Sequence, residues 1–143
     1  MINELEKKFK QMQSSVKSEF EKFEKLKHAN VSSDSWDRPE GGGGVTCVIA
    51  DGDFFDNCAI NFSSIFGKNL PEAALARSLK KEVDFGYRAM GVSVISHPAN
   101  PHVPTSHMNV RLFGILDKNN EIHDWWIGGG YDLTPFIPYE EDL

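Results

Sequence analysis

After Gly44 the hydrophobic pattern of this chain changes its repeat from about 3.6 residues to 2, which confines the fold to a helix followed by strands. Before the change, Ile2, Leu5, Phe9, Met12, Val16, Phe20 and Phe23 recur at steps of three and four. That spacing predicts one amphipathic helix over residues 2–28. Glu6 to Lys10 and Glu21 to Lys25 each put Glu on the N-terminal side of the pair, a slight further support. The apolar steps are too irregular for a heptad, so a helix laid on a domain core is favoured over a coiled coil or a membrane-surface helix. Residues 30–44 are polar, contain Arg38-Pro39-Glu40 and close on four glycines, and they read as a loop.

Beyond the loop, Val45 to Ala50 is a strand, Asp51-Gly52 a hairpin turn, and Phe54 to Phe66 the returning strand. Leu70 to Lys81 reads as a short helix, with Pro71 in its first turn and Glu72 near its positive end. Tyr87 to His97, Met108 to Leu116 and Ile122 to Ile127 are three more strands, the last two joined by the turn Asp117-Lys118-Asn119-Asn120. Five strands and two helices with short connections predict an α+β fold, an antiparallel sheet flanked by helices, and not a βαβ repeat. Tyr139-Glu140-Glu141-Asp142 reads as the opening of another helix, and the sequence stops there, so a truncated domain is expected. In that reading residues 1–29 are the amphipathic helix, residues 30–143 carry the sheet and the site motifs, and a C-terminal half is absent.

The 143 residues amount to one domain, and no apolar run approaches the roughly 20 residues that cross a bilayer. The formal charge of −6 is uneven. Residues 1–28 hold seven Lys and five Glu, and the remainder eight basic against 16 acidic groups. An acidic main body disfavours nucleic acid as a partner, and an anionic ligand would need a few placed Arg residues. Cys47 and Cys58 have no CxxC spacing and read as small core residues in a reducing compartment. With no signal-like apolar segment and five Glu at the start, the expected location is the cytoplasm.

Residues 91–111 are the first stretch that carries chemistry. On a strand Ser93, Ile95 and His97 share one face, and so do His107, Asn109 and Arg111, while Met108, Val110 and Leu112 point the other way. Two neighbouring strands could converge a hydroxyl, two imidazoles, an amide and a guanidinium, and Arg111 suits a forked carboxylate. The alternative is an ordinary solvent-facing strand. Pro98, Pro101 and Pro104 stiffen the connection between the two strands. His97 and His107 could ligate a divalent metal, although no third ligand stands near them in sequence. His102, His28 and His123 read as solvated, and Ser93 has no Gly-x-Ser-x-Gly elbow for a hydrolase. The glycine run 41–44 lacks the Gly-Lys-Ser/Thr of a phosphate loop and opens a strand instead.

The second stretch is Trp125-Trp126-Ile127-Gly128-Gly129-Gly130-Tyr131-Asp132-Leu133-Thr134-Pro135. Paired Trp suggests core packing on one side and a ligand or interface on the other. The three glycines suggest a bare turn exposing Asp132, either as a functional carboxylate or as a cap of the turn with Thr134.

Taken in order, Trp36-Asp37-Arg38 before Gly41–Gly44, Asn61-Phe62-Ser63, Gly91-Val92-Ser93, His97-Pro98-x-Asn100-Pro101, Pro104-Thr105-x-His107-x-Asn109-x-Arg111 and Trp125-Trp126-x-Gly-Gly-Gly-x-Asp132-Leu133-Thr134-Pro135 closely resemble the oxygen-dependent coproporphyrinogen III oxidases of haem biosynthesis. The resemblance runs from about Trp36 to Asp142. It implies oxidative decarboxylation of two propionates of coproporphyrinogen III to vinyls, giving protoporphyrinogen IX, with O2 as co-substrate and no organic cofactor. By resemblance Ser93, Asn109 and Arg111 contact substrate, His107 is the proton donor, and Asp132 is the carboxylate facing the pyrrole N–H groups. His97 and His107 match positions assigned as metal ligands in bacterial members. Members of this family are roughly twice as long and form homodimers, and the dimer-forming segment has no counterpart in these 143 residues. Around Asp56-Asn57-Cys58-Ala59-Ile60 the usual Lys-Ala-Gly-Val-like hairpin has drifted. Weak substrate binding and poor turnover by this chain alone are expected. The alternatives are a non-catalytic tetrapyrrole-binding module and a small metal-dependent oxygenase built on His97 and His107.

Overall fold

The computed structural model describes residues 2–24, 28–72 and 86–142. In chain order they form helix α1 (Ile2–Glu21) and strands β1 (Asn30–Asp37), β2 (Gly42–Ala50), β3 (Phe55–Gly67), β4 (Tyr87–Pro98), β5 (Thr105–Leu116) and β6 (Ile122–Thr134). A 3-10 turn follows at Glu140–Asp142. The strands make one six-stranded sheet in simple sequence order, with every neighbouring pair antiparallel. The α+β architecture is the expected one, with six strands instead of five. The helix expected over residues 70–81 falls outside the described residues from 73 onward.

Alternation divides each strand between two faces. On one face, Cys47 and Ile49 of β2, Cys58, Ile60 and Phe62 of β3, and Met90, Val92 and Val94 of β4 form a core with Leu112 and with Phe9 of α1. Ile49, Ile60 and Met90 are wholly removed from solvent, each contributing roughly 1.5–3 kcal/mol of hydrophobic stabilisation. Both free cysteines are small core residues, as expected, and burial pushes the Cys58 thiol up to about 12. Gln13 of α1 is buried as well, and its Nε2 donates to the backbone oxygens of Val45 at 2.8 Å and Ile60 at 2.9 Å, pinning the helix across β2 and β3. Nearby, Glu6 takes hydrogen bonds from Ser64 and Arg88.

The helix ends at Glu21, short of the expected residue 28, because the chain is pulled onto the β2–β3 hairpin. Its last turns tighten to i→i−3 bonds, Phe20 stacks on Phe55, and Phe23 on Phe54. The Glu24 carboxylate then accepts the backbone N–H groups of Asp53, Phe54 and Phe55. A Cβ at Gly52 would stand 2.4 Å from that carboxylate, so a larger residue there would push the Glu24 side chain aside.

Residues 30–44, read as a loop, are instead β1 and the first part of β2, paired from Asn30 with Ala50 to Asp37 with Gly43. β1 is an edge strand exposed along its whole length, so it shows no burial alternation that a sequence pattern could register. Gly41 and Gly42 take φ of 126° and 86°, which carries the turn between β1 and β2. Two further bounds differ. β5 starts at Thr105 instead of Met108, and β6 runs on past Ile127 through all three glycines to Thr134. Asp132 therefore sits on a strand and not at a bare turn. Glycine lowers strand preference locally, but the backbone pairing with β5 does not depend on side chains and carries the ladder through.

Across the tight β5–β6 turn the Asp117 carboxylate accepts the N–H groups of Glu121 and Asn119, which holds its pKa below the usual carboxylate range. Because α1 lies over β3 and β4, the β6 side chains on the helix face are left exposed. Trp125, Ile127, Tyr131 and Leu133 form that uncovered row.

Candidate active site

The sheet's second face carries the side chains singled out from the sequence, and among the described residues no helix lies on it. Register decides which of them meet. Ser93 pairs with Asn109 and Asn109 with Gly130. One step along, Gly91 pairs with Arg111 and Arg111 with Gly128; one step the other way, Ile95 pairs with His107 and His107 with Asp132. Directly opposed residues share a face, so Ser93, His107, Asn109, Arg111 and Asp132 occupy one patch spanning β4, β5 and β6.

Within the patch His107 Nδ1 lies 3.2 Å from Asp132 Oδ1. A carboxylate can only accept, so Nδ1 carries the proton of this pair and Nε2 is left for a ligand. Both side chains are about half exposed, and the pair is a positioning contact more than a source of stability. Behind it, on the helix face, the hydroxyls of Ser96 and Ser106 are 2.7 Å apart and tie β4 to β5 beside His107. Arg111 is exposed beside the patch of β6 that has no side chains. A Cβ added at Gly128 or Gly130 would meet nothing within 4 Å, whereas one at Gly129, on the other face, would stand 2.2 Å from the Asn109 oxygen. The open face therefore has a bare backbone floor flanked by a cation, an imidazole and a carboxylate.

One end of the floor is bounded by aromatic rings. Tyr87 stacks on Phe113 at 5.2 Å and Phe113 on Trp126 at 4.7 Å, and Arg38 Nη1 donates to the Tyr87 hydroxyl at 3.1 Å. The two adjacent tryptophans are thus divided, Trp126 in the stack and Trp125 on the helix face. Phe113 could have been found by extending the alternation two residues past Arg111. Tyr87 and Trp126 needed the cross-strand register, which no single strand's sequence contains.

At the other end His97 Nδ1 lies 3.3 Å from Thr105 Oγ1. His102, expected to be solvated, is instead hydrogen-bonded to the Tyr139 hydroxyl, and the two rings stack. His28 and His123 are exposed as expected. His97 and His107 both lie at this end with Nδ1 engaged, and among the described residues no third His, Cys, Asp or Glu joins a cluster with metal-ligand spacing. Among the described residues, His97 and His107 by themselves do not complete the ligand set of a resident divalent ion.

A family model described as coproporphyrinogen III oxidase matches residues 4–143. The chain belongs to the coproporphyrinogen III oxidase family. The match takes in α1 as well as the sheet, and so begins well before Trp36, where the resemblance of individual motifs starts. Membership makes the chain part of an oxidase-type enzyme family of haem biosynthesis. No described helix is long and apolar enough to cross a membrane.

Proposed function

We propose that the open face binds coproporphyrinogen III and carries out its oxygen-dependent decarboxylation to protoporphyrinogen IX. The observation supporting this most directly is the union of Arg111, His107 and Asp132 on one face around the bare floor at Gly128 and Gly130. A wide, non-planar macrocycle needs a floor without side chains to approach the backbone, and its carboxylate arms need a forked cation at the rim. Its pyrrole N–H groups need an acceptor, and Asp132 is the carboxylate within the patch.

Each propionate loses CO2 and a hydrogen from the carbon next to the ring. This forms the vinyl double bond and releases a proton and two electrons. Two such events supply four electrons and two protons to one O2, which takes up two further protons from solvent and leaves as two waters. In this reading Arg111 and Asn109 orient a propionate. Asp132 draws on a pyrrole N–H and enriches the ring in electrons for reaction with O2, and His107 moves a proton at Nε2, oriented through Nδ1 by Asp132.

The test is binding of coproporphyrin III followed by porphyrin fluorescence, together with conversion of coproporphyrinogen III under air. Arg111→Ala is expected to weaken binding roughly 10- to 100-fold, as for loss of a hydrogen-bonded charge. Asp132→Asn is expected to retain binding and abolish turnover. Wild-type affinity in the Arg111→Ala variant would overturn the assignment. Specific binding without any conversion by the unaltered chain would reduce it to a tetrapyrrole-binding module.

A further inference from the structure

One uncovered surface has no role in the function proposed above. β6 is an outer strand of the sheet, and on its helix face Trp125, Ile127, Tyr131 and Leu133 are each more than half exposed. A contiguous apolar row on a sheet edge marks either a docking surface or an aggregation hazard. Among the described residues nothing pairs with the outer side of β6. The chain that follows it turns inward, since Tyr139 reaches His102 in the β4–β5 connection.

The two outer strands of the sheet are built differently. β1 has eight residues, Asp34 and Asp37 among them, and such charges discourage pairing with another chain. β6 has 13 residues, contains neither Lys nor Pro, and keeps an unbroken register with β5 from Asp124 to Thr134. Its sequence is also self-complementary. When two copies of β6 run antiparallel about a two-fold axis at Gly129, Trp125 stands opposite the partner's Leu133 and Ile127 opposite the partner's Tyr131. Both are aromatic–aliphatic cross-strand pairs, and the axis repeats each of them. On the open face the same register sets Asp132 opposite the partner's Trp126 and Gly128 opposite the partner's Gly130, so no two carboxylates are opposed. An axis at Gly128 would set Asp124 directly against the partner's Asp132, a like-charge pair. An axis at Gly130 would leave Tyr131 opposite a glycine and Trp125 opposite a proline.

We propose that the outer side of β6 is a homodimer interface, in which two copies join edge to edge about Gly129 into one continuous sheet. Aromatic side chains offer about 150–250 Å2 apiece, so the two rows and the newly paired backbone bury on the order of 1,000 Å2, the lower bound for a specific interface. The dimer is therefore reversible, with a Kd of about 1–100 μM. It uses a strand that this chain contains, distinct from the dimer-forming segment that has no counterpart here, and it leaves the ligand floor open.

The test is sedimentation equilibrium of the whole 143-residue chain over concentrations spanning that Kd. Ile127→Lys and Tyr131→Lys each put a charge into the row at an exposed position, and each contact is lost twice across the axis. Either variant is expected to weaken dimerisation about 30-fold or more, with the thermal midpoint of the dilute monomer unchanged. Val31→Lys, on the exposed β1 edge, is expected to leave the dimer as it is. The register has its own readout. A double variant, Ile127→Cys with Tyr131→Cys, should form intermolecular disulfides under mild oxidation, since those positions oppose one another across the axis. Ile127→Cys alone should not, because its two copies stand four residues apart along the paired strands. A monomer at every concentration overturns the proposal and leaves the row to a partner of different sequence. A dimer insensitive to both lysines, or assembly that grows past two copies, overturns it as well. Cross-linking of the single cysteine variant as readily as the double one refutes the Gly129 register.

Discussion

Replacing Gly128 and Gly130 together by alanine should make the protein more stable and its ligand face less useful. Neither added Cβ meets an atom within 4 Å, and neither glycine has a positive φ, so both methyl groups fit the existing backbone. Each Gly→Ala change at a compatible site stabilises by about 0.4–1 kcal/mol, mostly by narrowing the unfolded ensemble, for roughly 1–2 kcal/mol together. At this chain length that corresponds to a rise of about 3–8 °C in Tm. The same methyl groups stand roughly 1.5 Å above the floor. A macrocycle seated on it must lift by a comparable amount, and a gap of even 0.5–1 Å forfeits a quarter to a half of the dispersion energy of the atoms concerned. Lifting also draws a propionate away from Arg111. The affinity for coproporphyrin III should therefore fall about tenfold or more, read by fluorescence titration alongside thermal and urea unfolding. Gly129→Ala is the internal control. Its Cβ would stand 2.2 Å from the Asn109 oxygen, so it should destabilise the β5–β6 pairing where its two neighbours do not. Undiminished binding by the double variant would refute the glycine floor as the ligand surface, and a lowered Tm would refute the open space above it.

Two predictions concern the attachment of α1. Gln13→Ala removes both hydrogen bonds that clamp the helix to Val45 and Ile60, and should cost about 1–3 kcal/mol in urea unfolding; an unchanged midpoint would mean that helix and sheet are held by apolar packing alone. Glu6 is held below its ordinary value of 4.5 chiefly by the hydrogen bond from Lys10, against an opposing effect of burial, with Arg88 and Ser64 adding to the lowering. A depressed carboxylate stabilises the fold above its unfolded pKa, and that stability drains away as pH falls below about 4.5 through the folded value. Glu6→Gln should therefore lower stability near neutral pH and flatten the dependence of unfolding free energy on pH below 4.5. A slope in that range identical to wild type would exclude Glu6 from the acid transition.

Much of the site was legible because strand chemistry is periodic. Once residues 91–111 are read as two strands, the shared face of Ser93 and His97, and that of His107, Asn109 and Arg111, follows from alternation alone. Alternation says nothing about which strand lies beside which, or in what register. The pairing of His107 with Asp132 is therefore absent from any local pattern, as is the stack of Tyr87, Phe113 and Trp126. The glycines misled for a related reason. At Gly41 and Gly42 the backbone does turn, but Gly44 and the run at 128–130 lie inside strands, where partner strands supply the hydrogen bonds.

The sequence by itself determined one amphipathic helix, at least five strands joined by short turns, an antiparallel α+β sheet, and the polar identity of one strand face. Period and turn chemistry are properties of neighbouring residues, and they act before the chain collapses. The tertiary structure alone decided that the exposed segment 30–37 pairs as an edge strand, that α1 gives up its last turn to the β2–β3 hairpin, and that Asp132 lies opposite His107. Each of those depends on backbone hydrogen bonds or side-chain contacts between residues far apart in sequence. Such bonds exist only once the sheet has assembled in its final register.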